Sequence, residues 1–315
     1  MDARRISFVT GHKEAQKAQK DRASFCAFCA FLWPKSLLDR IGHHLLFLLQ
    51  SHRDLADRWG YHIRPIHYYE PLPDFRSITN EQITQRRTYP GIDFRSEEQL
   101  ALLDELAKYR DELRELDFDF NNGYFSGLDA AVYYALIRHL QPERIIEIGG
   151  GYSTQIAAKA LAANRKGKLV CIEPYPERLN GTQFELIQKR VEEMSVDFFS
   201  SLEANDILFI DSSHTVKFRS DVCFEFLEIL PRLKPEVWVH VNDIFFPHDY
   251  PAEWLINRRL ALNEQYLLEA FLSFNKAFAP QLANYWLCLE HGEAAARLGP
   301  KADNPASSFW MKRVE

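Results

Sequence analysis

Arg144-Ile-Ile-Glu-Ile-Gly-Gly-Gly-Tyr-Ser-Thr154 decides the fold, together with Lys168-Leu-Val-Cys-Ile-Glu-Pro174 downstream. An apolar run that closes on an acid and three glycines, then enters a helical pattern, reads as strand, tight loop and helix N-terminus. Gly149, Gly150 and Gly151 carry no side chains to hold a ligand off the backbone, and they permit positive φ where the chain turns sharply. Ser153 or Thr154 can cap the helix, whose free N–H groups make its end mildly electropositive. Glu173 closes the next strand, where a carboxylate can accept hydrogen bonds from both hydroxyls of a ribose. The layout predicts a nucleotide-like cofactor.

Two cofactor classes compete for it. A dinucleotide fingerprint G-x-G-x-x-G would run Gly149, Gly151 and then Thr154, so its third glycine is missing. The stretch instead resembles the class I S-adenosylmethionine-dependent methyltransferases, whose first motif is an acid followed by spaced glycines and whose second is a ribose-binding acid. That resemblance implies that Glu147 faces the methionine part of the cofactor, that Gly149, Gly151 and Ser153 line it, and that Glu173 holds the ribose. It also implies an α/β fold: a Rossmann-like, doubly wound, seven-stranded sheet whose last strand is antiparallel.

The reaction is read from a second cluster. Asn205-Asp-Ile-Leu-Phe-Ile-Asp-Ser-Ser-His214 predicts a buried strand ending at Asp211, and Glu236-Val-Trp-Val-His-Val-Asn-Asp243 predicts the following strand, ending at Asn242 and Asp243. In a doubly wound sheet such ends meet at the ligand crevice. Two carboxylates and an amide oxygen there suit Mg2+ or a similar hard cation, which would lower the pKa of an acceptor hydroxyl. Metal-dependent O-methyltransferases of the catechol type place an Asp after one strand, a basic residue three positions on, and an Asp-Asn pair after the next strand. Here the pair is reversed. The Ile-Asp-Ser-Ser-His form is similar to methyltransferases that modify sugars and polyketide-like antibiotics, in which the later pair is usually two acids; Asn242 departs from that. Asp211, Asn242 and Asp243 are the expected metal ligands, Asp211 also bordering the cofactor. His214 is the expected general base, since a neutral imidazole can take a hydroxyl proton at physiological pH. His240, alternating with Trp238 and Asn242, is assigned to the core, and Lys217 to solvent.

Composition bounds the setting. A 315-residue chain, 46% hydrophobic and 26% charged, can bury one sizeable core plus an accessory region. A net charge of −6 gives no basic footprint for nucleic acid. Small-molecule or glycan acceptors fit better. Five cysteines without framework spacing suit a reducing, cytoplasmic compartment, and Cys26-Ala-Phe-Cys29 lacks the partners of a zinc site.

Residues 1–120 are expected to form a helical and irregular accessory or cap region, and 121–315 the methyltransferase domain. Ser24 to Pro34 is apolar, but Lys35, Asp39 and Arg40 interrupt it before the roughly 20 residues that span a bilayer, so no transmembrane helix is predicted. Residues 24–59 instead predict two helices, packing on the main domain or pairing two subunits of a homo-oligomer. Tyr61 to Asp74 with Pro90-Gly-Ile-Asp-Phe94 resembles a leader found in bacterial methyltransferases, and a cap over the active site is expected for it. Ser96 to Leu116 reads as one amphipathic helix. Tyr124, Phe125 and Asp129, before the glycine strand, and His248, Tyr250 and Trp254, after Asp243, are further candidate contacts. Two rival readings stand beside the methyltransferase: a Rossmann-type oxidoreductase using NAD, and a catalytically silent scaffold of the same fold.

Overall fold

The computed structural model describes residues 37–179 and 183–315. The Ser24 to Pro34 run and the Cys26–Cys29 pair therefore lie outside the described residues. The chain divides into two compact units, the first ending at Asp74 and the second running Phe75–Glu315. In the first, helices Leu37–Ser51 and Arg53–Arg58 follow one another. Among the described residues no helix is long and apolar enough to cross a membrane.

The second unit is built on one seven-stranded sheet. Its strands are β1 (Arg144–Ile148), β2 (Lys168–Ile172), β3 (Glu185–Ile187), β4 (Ile207–Ile210), β5 (Trp238–Val241), β6 (Phe278–Ala283) and β7 (Phe309–Arg313). They lie in the order β3-β2-β1-β4-β5-β7-β6, and β7 is antiparallel to both its neighbours. This is the doubly wound sheet, with antiparallel last strand, that the sequence predicts. Strand order reverses between β1 and β4, so the crevice opens at their carboxyl ends.

Period-two alternation sends the strands' side chains into two cores. Ile145, Leu169, Ile207, Phe209 and Trp310 pack on one face with helices Gly127–Leu140 and Tyr152–Asn164. Ile146, Ile148, Leu208, Ile210 and Val241 pack on the other with Val222, Phe226, Leu268 and Leu272. His240 is wholly buried, its Nε2 2.8 Å from Ser308 Oγ and its ring stacked on Phe209.

Residues 75–120 belong to this same unit. Leu103, Leu106 and Leu113 enter the first core, and Gln99 Oε1 accepts the Ala283 N–H at 2.8 Å. The helix expected over 96–116 is two helices, Ser96–Leu106 and Arg110–Glu115, joined by a 3-10 turn at Ala107–Tyr109.

Candidate active site

The glycine loop has a packed side and an open side. Gly149 has φ +82°, and a Cβ there would lie 2.0 Å from the carbonyl oxygen of Asp211. Only glycine lets β1's loop touch the end of β4 so closely. A Cβ on Gly150 would meet Cys171 Sγ at 2.5 Å, whereas one on Gly151 would meet nothing within 4 Å. Thr154 rather than Ser153 fixes the helix start, its Oγ1 accepting the Gly151 N–H at 3.0 Å. Ser153 is buried.

Two acids flank this loop, and one of them holds it. Glu173 Oε2 accepts the Gly150 N–H at 3.2 Å and its Oε1 the Tyr175 N–H at 2.6 Å, which fixes the carboxylate at the end of β2. Each oxygen keeps a second lone pair able to accept a further hydrogen bond. Glu147 is fully buried, and neither of its oxygens has a hydrogen-bond partner. Burial pushes its pKa up to about 8, moderated by the nearby hydroxyls of Ser153 and Thr154, so the group is mostly neutral at pH 7.

At the ends of β4 and β5 the acids and the histidine do converge. His214 Nε2 lies 3.3 Å from Asp211 Oδ1 and 3.3 Å from Asp243 Oδ2, while its Nδ1 lies 2.7 Å from Glu264 Oε2. Asp211, His214 and Asp243 offer donor atoms all within 4.8 Å of one another. Asn242 turns its amide nitrogen to Asp211 Oδ1 at 3.2 Å, leaving its own Oδ1 buried and unpartnered. Ser307 Oγ donates to Asp243 Oδ1 at 3.1 Å.

The carboxylates around His214 act on its pKa against its burial. Burial alone would lower its pKa, but the charge of Asp243 and the hydrogen bonds to Asp211 and Glu264 outweigh burial and hold it well above the usual value. Burial pushes Asp243 up to about 6, with His214 pulling the other way. Behind the site Glu264 is raised, chiefly by burial, and Glu225, whose Oε2 accepts from Ser212 Oγ at 3.0 Å, is raised well above the carboxylate range.

The other candidates take the following positions. Asp129 is buried and accepts from Asn284 Nδ2, Ser307 N and Ser308 N at 2.8, 2.7 and 3.0 Å, which joins its helix to the start of β7. Phe125 is buried edge-on to Phe209. Tyr250 is fully buried with its hydroxyl accepting the Gln265 N–H, and His248 Nδ1 meets Tyr285 OH at 3.1 Å. Trp254 packs edge-on against Phe245. Lys217 is exposed on the loop before Ser220, and Tyr124 stacks on Tyr152 at the start of the loop's helix. The sequence reading missed Glu264 and Glu225. Each resembles an ordinary helical acid, and only the fold, which brings Glu264 to a histidine 50 residues earlier, reveals it.

Comparison with known proteins places this geometry. The family described as a methyltransferase domain matches residues 146–244, which hold the glycine loop, Glu173, Asp211, His214, Asn242 and Asp243. An uncharacterized protein of Archaeoglobus fulgidus is 37% identical over 165 residues, covering 45% of this chain and 75% of that protein. Among solved structures, an O-methyltransferase from Bacillus cereus in complex with SAH gives a TM-score of 0.39 at 15% identity, covering 68% of this chain and 91% of that one. An SAH-bound methyltransferase from Podospora anserina gives 0.40 at 13% identity, covering 69% and 88%. The match over residues 146–244, with the glycine loop it contains and the strand order around it, makes this domain a class I methyltransferase dependent on S-adenosylmethionine.

Proposed function

We propose that the enzyme methylates a hydroxyl oxygen of a small-molecule or glycan acceptor, with a divalent cation held at the ends of β4 and β5. The observation that carries this reading is the contact of Gly149 with the backbone of Asp211, which sets the cofactor loop directly beside the acid cluster. Donor and acceptor sites are thereby neighbours, as an in-line transfer needs.

The residues fit both groups. The open side at Gly151 leaves room for a ligand to meet the main chain, and Glu173 is held in place for a ribose. The oxygen-rich cluster at Asp211 and Asp243 suits a divalent cation. S-adenosylmethionine supplies an electrophilic methyl group, and a bound cation would make an acceptor hydroxyl more acidic. The acceptor oxygen forms the new C–O bond while the S–C electron pair stays on sulfur. The hydroxyl proton leaves to a carboxylate, which we assign to Asp211 Oδ2, because Oδ1 faces His214 and Asn242. Asp211 is also the most exposed of the three cluster residues, with 33% of its side chain accessible.

One accessory role belongs to the same reading. Helices Leu37–Ser51 and Arg53–Arg58 would pair subunits, which exposed Leu45, Phe47 and Leu55 on them support.

Calorimetric titration with S-adenosylhomocysteine, with NAD as comparator, tests the cofactor, and a screen of hydroxylated sugars and natural products with and without chelator tests the acceptor. Micromolar S-adenosylhomocysteine binding and chelator-sensitive methylation of a hydroxyl are expected. Turnover on nitrogen or carbon acceptors that resists chelation, or cofactor binding with no turnover, would replace this reading.

A further inference from the structure

The surroundings of His214 carry an inference that rests on the divalent cation proposed above. His214 has φ +54°, a left-handed conformation uncommon outside glycine. It is held there because its carbonyl accepts two N–H groups, from Asn263 at 3.0 Å and Glu264 at 3.2 Å, where helix Glu264–Leu272 begins. The same Glu264 grips the ring through Nδ1. Backbone and side chain together therefore aim Nε2 at the space between Asp211 and Asp243.

The spacing there is that of a coordination shell. Adjacent donors on an octahedron with bonds of about 2.1–2.3 Å lie about 3.0–3.3 Å apart. Nε2 stands 3.3 Å from a carboxylate oxygen on each side. A buried carboxylate on the far nitrogen is the partner that a metal-bound histidine commonly has, because it fixes ring orientation and leaves Nε2 for the ion. Asn242 donates from its amide to Asp211 Oδ1 at 3.2 Å, which holds that carboxylate toward His214.

We infer that the cation's protein ligands are Asp211, His214 Nε2 and Asp243, with Glu264 and Asn242 positioning His214 and Asp211, and that the imidazole turns the site from Mg2+ toward Mn2+ or Co2+. Asn242 stands where a second acid would add charge, and His214 takes up the vacated ligand position. Imidazole favours transition ions, whereas Mg2+ prefers oxygen donors and retains its waters.

The test uses the full chain and the metals alone. Calorimetry with Mn2+ and with Mg2+ is expected to show at least tenfold tighter Mn2+ binding. His214→Ala should weaken Mn2+ binding about 100-fold and erase the preference, and Glu264→Gln, which keeps the side-chain volume, should weaken it about 10- to 100-fold. S-adenosylhomocysteine affinity should stay within threefold in both. Pulsed electron paramagnetic resonance of Mn2+ in the unaltered protein, with 15N-labelled histidine, reads imidazole nitrogen coupling directly and does not depend on any variant folding. Mn2+ bound without nitrogen coupling, and lost in Asp211→Asn but not in His214→Ala, would overturn the ligand assignment while leaving the cation reading intact. No binding of either ion by the unaltered protein would overturn both and leave His214 only as the hydrogen-bonding partner of Asp211, Asp243 and Glu264.

Discussion

At the residue scale, backbone geometry is legible in sequence where local chemistry leaves few choices. Gly149 is one: its φ of +82° and its contact with Asp211 exclude any side chain. Gly149→Ala is expected to cost about 1–2 kcal/mol from the dihedral alone, with the clash adding to that, and to abolish S-adenosylhomocysteine binding. Urea unfolding with a parallel calorimetric titration checks both. Glu147 also stands where it was expected, at the end of β1, but its burial without a partner is invisible in sequence. Its folded pKa, up to about 8, exceeds that of the unfolded chain, so the folded state binds more protons between the two values. Stability should therefore fall as pH rises from about 4.5 to about 8, with a total cost of a few kcal/mol. Glu147→Gln should flatten that slope and raise the melting temperature at pH 8.5, read by thermal melts from pH 5 to 9 without cofactor. An unchanged slope would show that Glu147 is ionised in the fold.

At the scale of elements, strands were more legible than the loops that follow them. β1, β2, β4 and β5 are short, nearly continuous apolar runs, and a fully buried parallel strand leaves that mark in sequence. What joins elements was harder to read, because an acid facing a cofactor and an acid tying two elements look the same along the chain. Asp129 was read as a contact and is such a tie: it collects three donors from the start of β7 and from Asn284. Removing a buried acceptor leaves those donors unpaired, each at about 1–3 kcal/mol. Asp129→Ala is expected to lower stability by about 3–5 kcal/mol. In a chain that still folds, S-adenosylhomocysteine affinity should stay within a fewfold of normal. A stable variant with lost cofactor affinity would return Asp129 to the binding site.

At the scale of the whole molecule, the site is assembled by topology. β4 and β5 bring Asp211 and Asp243 together, but Glu264 arrives on a helix that follows a 20-residue excursion, a meeting no local pattern encodes. The same holds for domain limits. A methyltransferase domain of residues 121–315 and a compact unit of Phe75–Glu315 make different predictions. Leu103, Leu106 and Leu113 lie in the first core with at most 4% of their surface exposed, so a chain beginning at residue 121 would open a groove along helix Gly127–Leu140. Fully burying a leucine contributes about 1.5–3 kcal/mol, and three together approach the whole net stability of a typical domain. Arg87 adds to this from the segment before them: its Nη2 meets Glu269 Oε2 at 2.7 Å, and its N–H donates to the Pro247 carbonyl at 2.9 Å. A chain of residues 75–315 is therefore expected to unfold in one cooperative transition and bind S-adenosylhomocysteine as the full chain does. A chain of 121–315 is expected to be insoluble or to melt without a transition. Calorimetric scans of both, with and without S-adenosylhomocysteine, decide between the limits; a folded, cofactor-binding 121–315 chain would show that residues 75–120 are an accessory layer whose removal the core tolerates.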